Sequence, residues 1–163
     1  MLEEFNALPE SRAVELLRAC CASPAWIRRV LAGRPYRDLR ALQTAGADAL
    51  KALDWTQLRQ ALDAHPRIGQ RATGGGQEAR WSRGEQAAAK TVDADVQRQL
   101  VEGNQRYEAR FGHVFLICAT GKTAGEILSA LRHRLGNEPF AEREVVKAEL
   151  AGIVRLRLTK MVG

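Results

Sequence analysis

Residues 137–163 read NEPFAEREVVKAELAGIVRLRLTKMVG. Asn137 followed by Pro139 is a helix-opening pattern, because proline is pre-set for the first helical position. The residues beyond it predict a last helix running nearly to the C-terminus. At 100° per residue, Val146, Leu150, Ile153, Val154 and Met161 fall on one face. Arg157 lies in the middle of that face, whereas Arg155 points nearly the opposite way. A guanidinium among core residues is costly unless it meets a carboxylate or lines a wet site. Two readings stay open for Arg157. One is a structural partner such as Glu85 or Glu142, or a stem that snorkels outward. The other is a ligand-binding cation.

The punctuation upstream is also helical. Thr123-Ala124-Gly125-Glu126 is a capping box opening a helix that ends at Gly136. Val114-Phe115-Leu116-Ile117-Cys118 is the one strand-like run; standing alone, it reads as a buried extended segment or a buried helix turn. Val96, Leu100, Tyr107 and Phe111 repeat at helical spacing along a longer helix. Gly74-Gly75-Gly76 marks a mobile loop. Asp54 caps a segment with Trp55, Leu58 and Leu62 on one face, which must end near His65 because Pro66 follows. Ser23-Pro24 is an N-cap with proline at the first helical position, and Gly33 ends that helix. Pro9, followed by Val14, Leu16, Leu17, Cys20 and Cys21, reads as a first amphipathic helix. No repeat, linker or composition shift divides the chain. The expectation is all-α: a single compact multi-helix domain over residues 1–163.

Composition narrows the class. The chain has 163 residues, 45% hydrophobic and 27% charged, a globular balance large enough to bury a core. No apolar run approaches the roughly 20 residues that span a bilayer. The acidic start, Met1 to Phe5, lacks a signal-peptide pattern, and Lys160-Met161-Val162-Gly163 is not a peroxisomal signal. A cytoplasmic protein with no membrane partner is expected. Cys20, Cys21 and Cys118 cannot form a disulfide framework and read as small core residues. With His65, His113 and His133 far apart, no metal-ligand spacing exists. The net charge is +6, and 20 of the 25 basic residues are arginine, spread from Arg12 to Arg157 without a dense run. That spread favours a soluble basic surface that attracts a small anion over a nucleic-acid interface.

Three short motifs carry candidate chemistry. Gly121-Lys122-Thr123 resembles the end of a phosphate-binding loop, but the required glycine five residues earlier is Leu116. Ala64-His65-Pro66-Arg67-Ile68-Gly69 places an imidazole at a helix end fixed by proline. His65 there could protonate a substrate, or merely serve the helix dipole. In Ser82-Arg83-Gly84-Glu85-Gln86, Ser-x-x-Glu is a capping box, and a helix N-terminus also offers N–H groups to an anion. The spacing alone does not choose between these readings.

Taken together, the segments resemble the 2-oxo-4-hydroxy-4-carboxy-5-ureidoimidazoline (OHCU) decarboxylase family. The likeness begins at Phe5-Asn6-Ala7 and passes through Ser23-Pro24-Ala25-Trp26, Gly33-Arg34-Pro35-Tyr36, the His65–Gly69 and Ser82–Gln86 motifs and Asn104 to Tyr107. It continues over Arg110 to Lys122 and closes on Arg134-Leu135-Gly136-Asn137 and Arg155-Leu156-Arg157-Leu158. Each block is weak alone; their order and spacing are specific. The resemblance implies an all-helical fold, a homodimer, and no metal or organic cofactor. It implies that His65 is catalytic with Glu85 as its acidic partner. It also implies that Pro66, Ser82, Ile117 (through its backbone) and Arg157 contact substrate. His113 departs from the family pattern, which often has an apolar or aromatic residue there.

The implied reaction is decarboxylation of the ureidoimidazoline to (S)-allantoin in urate catabolism. Arg157 and the N–H groups after Ser82 would hold the anionic substrate. Glu85 would bond ring or ureido N–H groups, and His65 would engage the hydroxyl and carboxylate region. Two rival readings are a decarboxylase-like binding module without activity, which the presence of His65 and Glu85 disfavours, and a basic helical nucleic-acid-binding protein, whose affinity would fall steeply with salt.

Overall fold

The computed structural model describes residues 1–68, 76–86 and 94–163. Gly69 and the glycines at 74 and 75 lie outside the described residues. Nine helices follow one another among the described residues, with no strand. They are α1 (Leu2–Ala7), α2 (Glu10–Cys20), α3 (Pro24–Ala32), α4 (Leu39–Lys51), α5 (Trp55–Leu62), α6 (Gln77–Glu85), α7 (Ala94–Phe111), α8 (Ala124–Arg134) and α9 (Pro139–Val162). The all-α expectation holds. The chain divides into two compact units, residues 1–64 with 151–163, and residues 65–150.

The first unit holds α1 to α5 and the C-terminal half of α9. Asp54 caps α5 as expected, its Oδ1 accepting the Gln57 N–H at 2.8 Å while Gln57 Oε1 accepts the Asp54 N–H. Asp38 caps α4 in the same way through Ala41. Pro24 opens α3, but the buried Ser23 hydroxyl makes no cap bond, so proline and packing set that start. Trp26 is fully buried and its Nε1 donates to the Gly46 carbonyl at 2.9 Å. Gly46 lets α4 approach α9, since a Cβ there would press on Leu158. Two of the family-like blocks are stitched together here. Asn6 Nδ2 donates to the Tyr36 carbonyl and Asn6 Oδ1 accepts the Tyr36 N–H, while Arg34 Nη1 donates to the carbonyls of Phe5 and Leu8. Burial pushes the thiols of Cys20 and Cys21 up to about 12, so both stay protonated core groups.

The second unit is built on α7 and α8. Leu100, Tyr107, Phe115, Ile117, Ile127 and Leu131 form its apolar core. Gly103 brings the two helices together, because any side chain there would collide with Leu131. The run Val114–Cys118 is extended and unpaired with any strand, with Phe115, Leu116 and Ile117 buried. α8 opens at Thr123, whose Oγ1 accepts the Glu126 N–H, and it ends at Arg134, just short of Gly136.

Candidate active site

His65 is the first residue of the second unit. Proline disfavours helix at the residue before it, and helical conformation is lost after Leu62, leaving His65 and Pro66 half-buried. The chain beyond them is anchored by α7. Asn104, 3% exposed, donates from Nδ2 to the carbonyls of Ile68 (3.1 Å) and Leu100 (2.9 Å), and its Oδ1 is buried with no hydrogen-bond partner. One turn on, Glu108 receives both bonds of a fork from Arg67 Nε, at 2.8 and 3.0 Å. Arg67, Ile68, Val101, Asn104, Gln105 and Glu108 line a groove of about 240 Å³. His65 and Glu85 do not line it, and the groove is an anchoring feature beside the motif.

Ser82 requires a correction. It does not open a helix: α6 starts after Gly76 and Ser82 sits in its last turn. The Gln86 N–H already bonds the Ser82 carbonyl at 3.2 Å, so the N–H groups after Ser82 form no anion-binding helix start. The hydroxyl, 2% exposed, instead donates to Glu78 Oε1 at 3.1 Å. Ser82 and Glu85, three apart within one helix, share a face. Glu85 reaches the region that matters by charge. Burial raises the Cys118 thiol above its usual range, and the carboxylates of Glu149 and Glu85 add to the rise. The charge of Glu85 is thus felt at Cys118, the neighbour of Ile117.

Around Ile117 the backbone is held by charged side chains. Arg134 Nη1 donates to the Leu116 carbonyl at 2.7 Å, Glu149 Oε2 accepts the Cys118 N–H at 2.9 Å, and Lys122 Nζ donates to the Cys118 carbonyl at 3.0 Å. Arg134 is itself fixed. Its Nε donates to Glu142 Oε1 at 2.7 Å, and its Nη2 lies 2.6 Å from the same oxygen off the line of a hydrogen bond. The Tyr107 hydroxyl donates to Glu142 Oε1 at 2.5 Å and Asn137 Nδ2 donates to Glu142 Oε2 at 2.9 Å, so Glu142, weighed above as a partner for Arg157, serves Arg134. Burial, then the bond to Glu142, keeps the Tyr107 phenol protonated. His113 packs edge-on to Tyr107 with centroids 5.4 Å apart, its Nδ1 3.1 Å from the Val114 carbonyl. The departure at position 113 therefore joins an aromatic cluster. Lys122 serves a backbone carbonyl and Thr123 a helix cap, leaving the phosphate-loop resemblance without its lysine.

In the first unit, the helical phase of α9 holds. Arg157 is 1% exposed and Arg155 is exposed. Arg157 Nη1 donates to the Ala19 carbonyl at 3.1 Å, and its positive charge opposes the rise of both buried thiols. Of the expected site residues, the second unit holds His65, Pro66, Ser82, Glu85 and Ile117, and the first holds Arg157. Sequence reasoning missed Asn104 and Glu149 as backbone anchors. The Asn104–Tyr107 block carried a signal for the first, and nothing marked the second. Among the described residues no cluster of His, Cys, Asp or Glu could hold a metal ion. No helix there is long and apolar enough to cross a membrane.

Known proteins are similar to this one over most of the chain. The family model for OHCU decarboxylase matches residues 6–159. The 2-oxo-4-hydroxy-4-carboxy-5-ureidoimidazoline decarboxylase of Amia calva is 32% identical over 167 residues, covering 99% of this chain and 94% of that protein. The uric acid degradation bifunctional protein TTL of Arabidopsis thaliana is 33% identical over 147 residues, 88% of this chain; the match spans only 45% of that longer protein. A crystal structure of OHCU decarboxylase in the presence of (S)-allantoin superimposes with a TM-score of 0.78 at 28% identity, covering 90% of this chain and 96% of that one. By sequence and by fold, the chain belongs to the OHCU decarboxylase family.

Proposed function

We propose that this protein decarboxylates 2-oxo-4-hydroxy-4-carboxy-5-ureidoimidazoline to (S)-allantoin in urate degradation. The observation that carries the reading is the end-to-end match with the Amia calva decarboxylase. The residue types suit the chemistry. When the bond to the carboxylate breaks, CO2 leaves and the electron pair passes into the conjugated ring. A proton added on one face then sets a single enantiomer. No external electron sink is needed, so the reaction proceeds without metal or cofactor.

His65 engages the hydroxyl and carboxylate region and assists proton delivery; an imidazole can hold or hand over a proton near neutral pH. Glu85 accepts hydrogen bonds from ring or ureido N–H groups and fixes the face presented. The Ser82 hydroxyl replaces the helix-start N–H groups as the α6 contact. Pro66 and the Ile117 backbone complete the contacts from the second unit, and Arg157 supplies the cation for the substrate carboxylate. The whole of residues 1–163 acts as one domain, in a cytoplasmic homodimer that works on a free small molecule and binds neither nucleic acid nor membrane.

The test supplies freshly generated substrate and follows (S)-allantoin by circular dichroism, before and after exhaustive treatment with a chelator. Acceleration over the spontaneous reaction in both samples, with a loss of ~10²–10⁴ in His65→Ala, is expected. No acceleration by the wild-type chain sinks the reading, and a loss under tenfold removes His65 from the mechanism.

A further inference from the structure

A planar trans peptide ties the direction of each carbonyl to that of the N–H across the same bond. Arg134 holds the Leu116 carbonyl, and that peptide unit also carries the Ile117 N–H. Glu149 holds the Cys118 N–H, and that unit also carries the Ile117 carbonyl. The two peptide planes meeting at Ile117 are thus each gripped at the far end by an ionic side chain. No sheet or helix ladder performs this task, because the segment is in neither.

From this geometry we infer that Glu149 and Arg134 are positioning residues that aim and polarise the Ile117 backbone for substrate. The inference rests on the proposed decarboxylase reading, in which Ile117 meets the ligand through its main chain. A cation on the Leu116 oxygen draws electron density from that peptide and strengthens the Ile117 N–H as a donor. A carboxylate on the Cys118 N–H pushes density the other way and strengthens the Ile117 carbonyl as an acceptor. One residue then offers a strong donor and a strong acceptor side by side. That pairing suits a substrate bearing both carbonyl oxygens and ureido N–H groups.

The two grips differ in how they are held. Arg134 is locked by the buried Glu142, which Tyr107 and the half-buried Asn137 also bond, and its removal would leave a buried carboxylate without its counter-charge. Glu149 is only half-buried, so it can be changed with less risk to the fold. It therefore carries the test.

The experiment compares wild type, Glu149→Gln and Glu149→Ala in the full chain. It measures kcat and KM by the dichroism assay, amide hydrogen exchange at Cys118 by NMR, and thermal melts. Gln keeps an acceptor oxygen but loses the charge; Ala loses both. The expected order of kcat/KM is wild type, Gln, Ala, with the Ala variant down by about tenfold, as befits one charge-assisted bond. Cys118 exchange should accelerate in the Ala variant and be largely restored in the Gln variant. If Ala lowers the melting temperature, the Gln variant, melting like wild type, decides: a reduced kcat/KM supports the role. Wild-type kcat/KM in both variants, or losses that follow the melts and not Cys118 exchange, overturns it. An active wild type with intact Glu149 variants sinks only the positioning role. A wild-type chain that forms no allantoin sinks the decarboxylase reading and the positioning role with it.

Discussion

Ser82-Arg83-Gly84-Glu85 and Thr123-Ala124-Gly125-Glu126 share one pattern and have opposite fates. Thr123 is the N-cap of α8, while Ser82 lies in the last turn of α6. The deciding residues stand upstream. Gln77 to Trp81 contain no breaker, so nothing obliges a helix to wait for Ser82. Thr123 is preceded two residues earlier by Gly121 at φ +79°, a left-handed conformation that helix cannot run through. A capping box thus marks a helix start only where the preceding chain is unable to be helical. Ser82 caps no helix and bonds Glu78 within α6, whereas Thr123 is committed to the start of α8.

The sharpest way to break this contrast is at the two glutamates. Glu85→Gln should lower turnover by ~10² or more, with a melt close to wild type, since the amide keeps the shape but not the charge. Glu126→Gln, on the exposed first turn of α8, should leave kinetics unchanged. Steady-state dichroism kinetics on both, paired with melts, would show the contrast; equal kinetics for the two would return Glu85 to a purely structural role.

The hydroxyls should differ in the other readout. Thr123→Ala removes a true cap and should cost ~0.5–2 kcal/mol without touching KM. Ser82→Ala loses a bond to Glu78 worth roughly 0.5–1.5 kcal/mol, offset by about half a kcal/mol of better helix propensity. Its stability loss should be the smaller, and its KM should rise if the hydroxyl meets substrate. Denaturant melts and KM values for the pair check both halves; a larger stability loss at Ser82 would argue that α6 is capped there after all.

The helices that announced themselves in the sequence were those with strong breakers or wide apolar stripes: α2, α3, α5, α7, α8 and α9. α4 went unread although the signal was in the sequence: Asp38 caps it, and its inward face repeats Leu42, Gly46, Ala49 and Leu50 at helical spacing. α1 is six residues long and depends on the bonds from Arg34 and Asn6, which no local pattern shows. Among the candidate site residues, the burial of Arg157 was legible because helical phase fixes which face a residue occupies. The anchoring of Ile117 was not. Glu149 and Arg134 act on peptide groups of an irregular segment, and hydrogen bonds to backbone leave no periodicity in the side chains that make them. Likewise Glu142 could be named as a buried-side carboxylate, but only three dimensions show that it belongs to Arg134.

The glycines at the third place of the two stretches give the smallest effect and the cleanest control. Gly84 lies within α6, and a Cβ there would meet nothing within 4 Å. Its φ is not among the positive ones, so alanine enters without strain and removes freedom from the unfolded chain. Gly84→Ala should therefore stabilise by about 0.4–1 kcal/mol. Gly125 is the second residue of α8, and its Cβ would lie 3.9 Å from Thr123 Oγ1, in ordinary contact. Alanine is tolerated there as well. The gain should be similar, because the first and last turns of a helix each leave backbone groups without intrahelical partners. Denaturant unfolding of the two alanine variants checks this. Gains of about 0.4–1 kcal/mol at both positions are expected, and a loss of stability at Gly84 would show that α6 does not run through it.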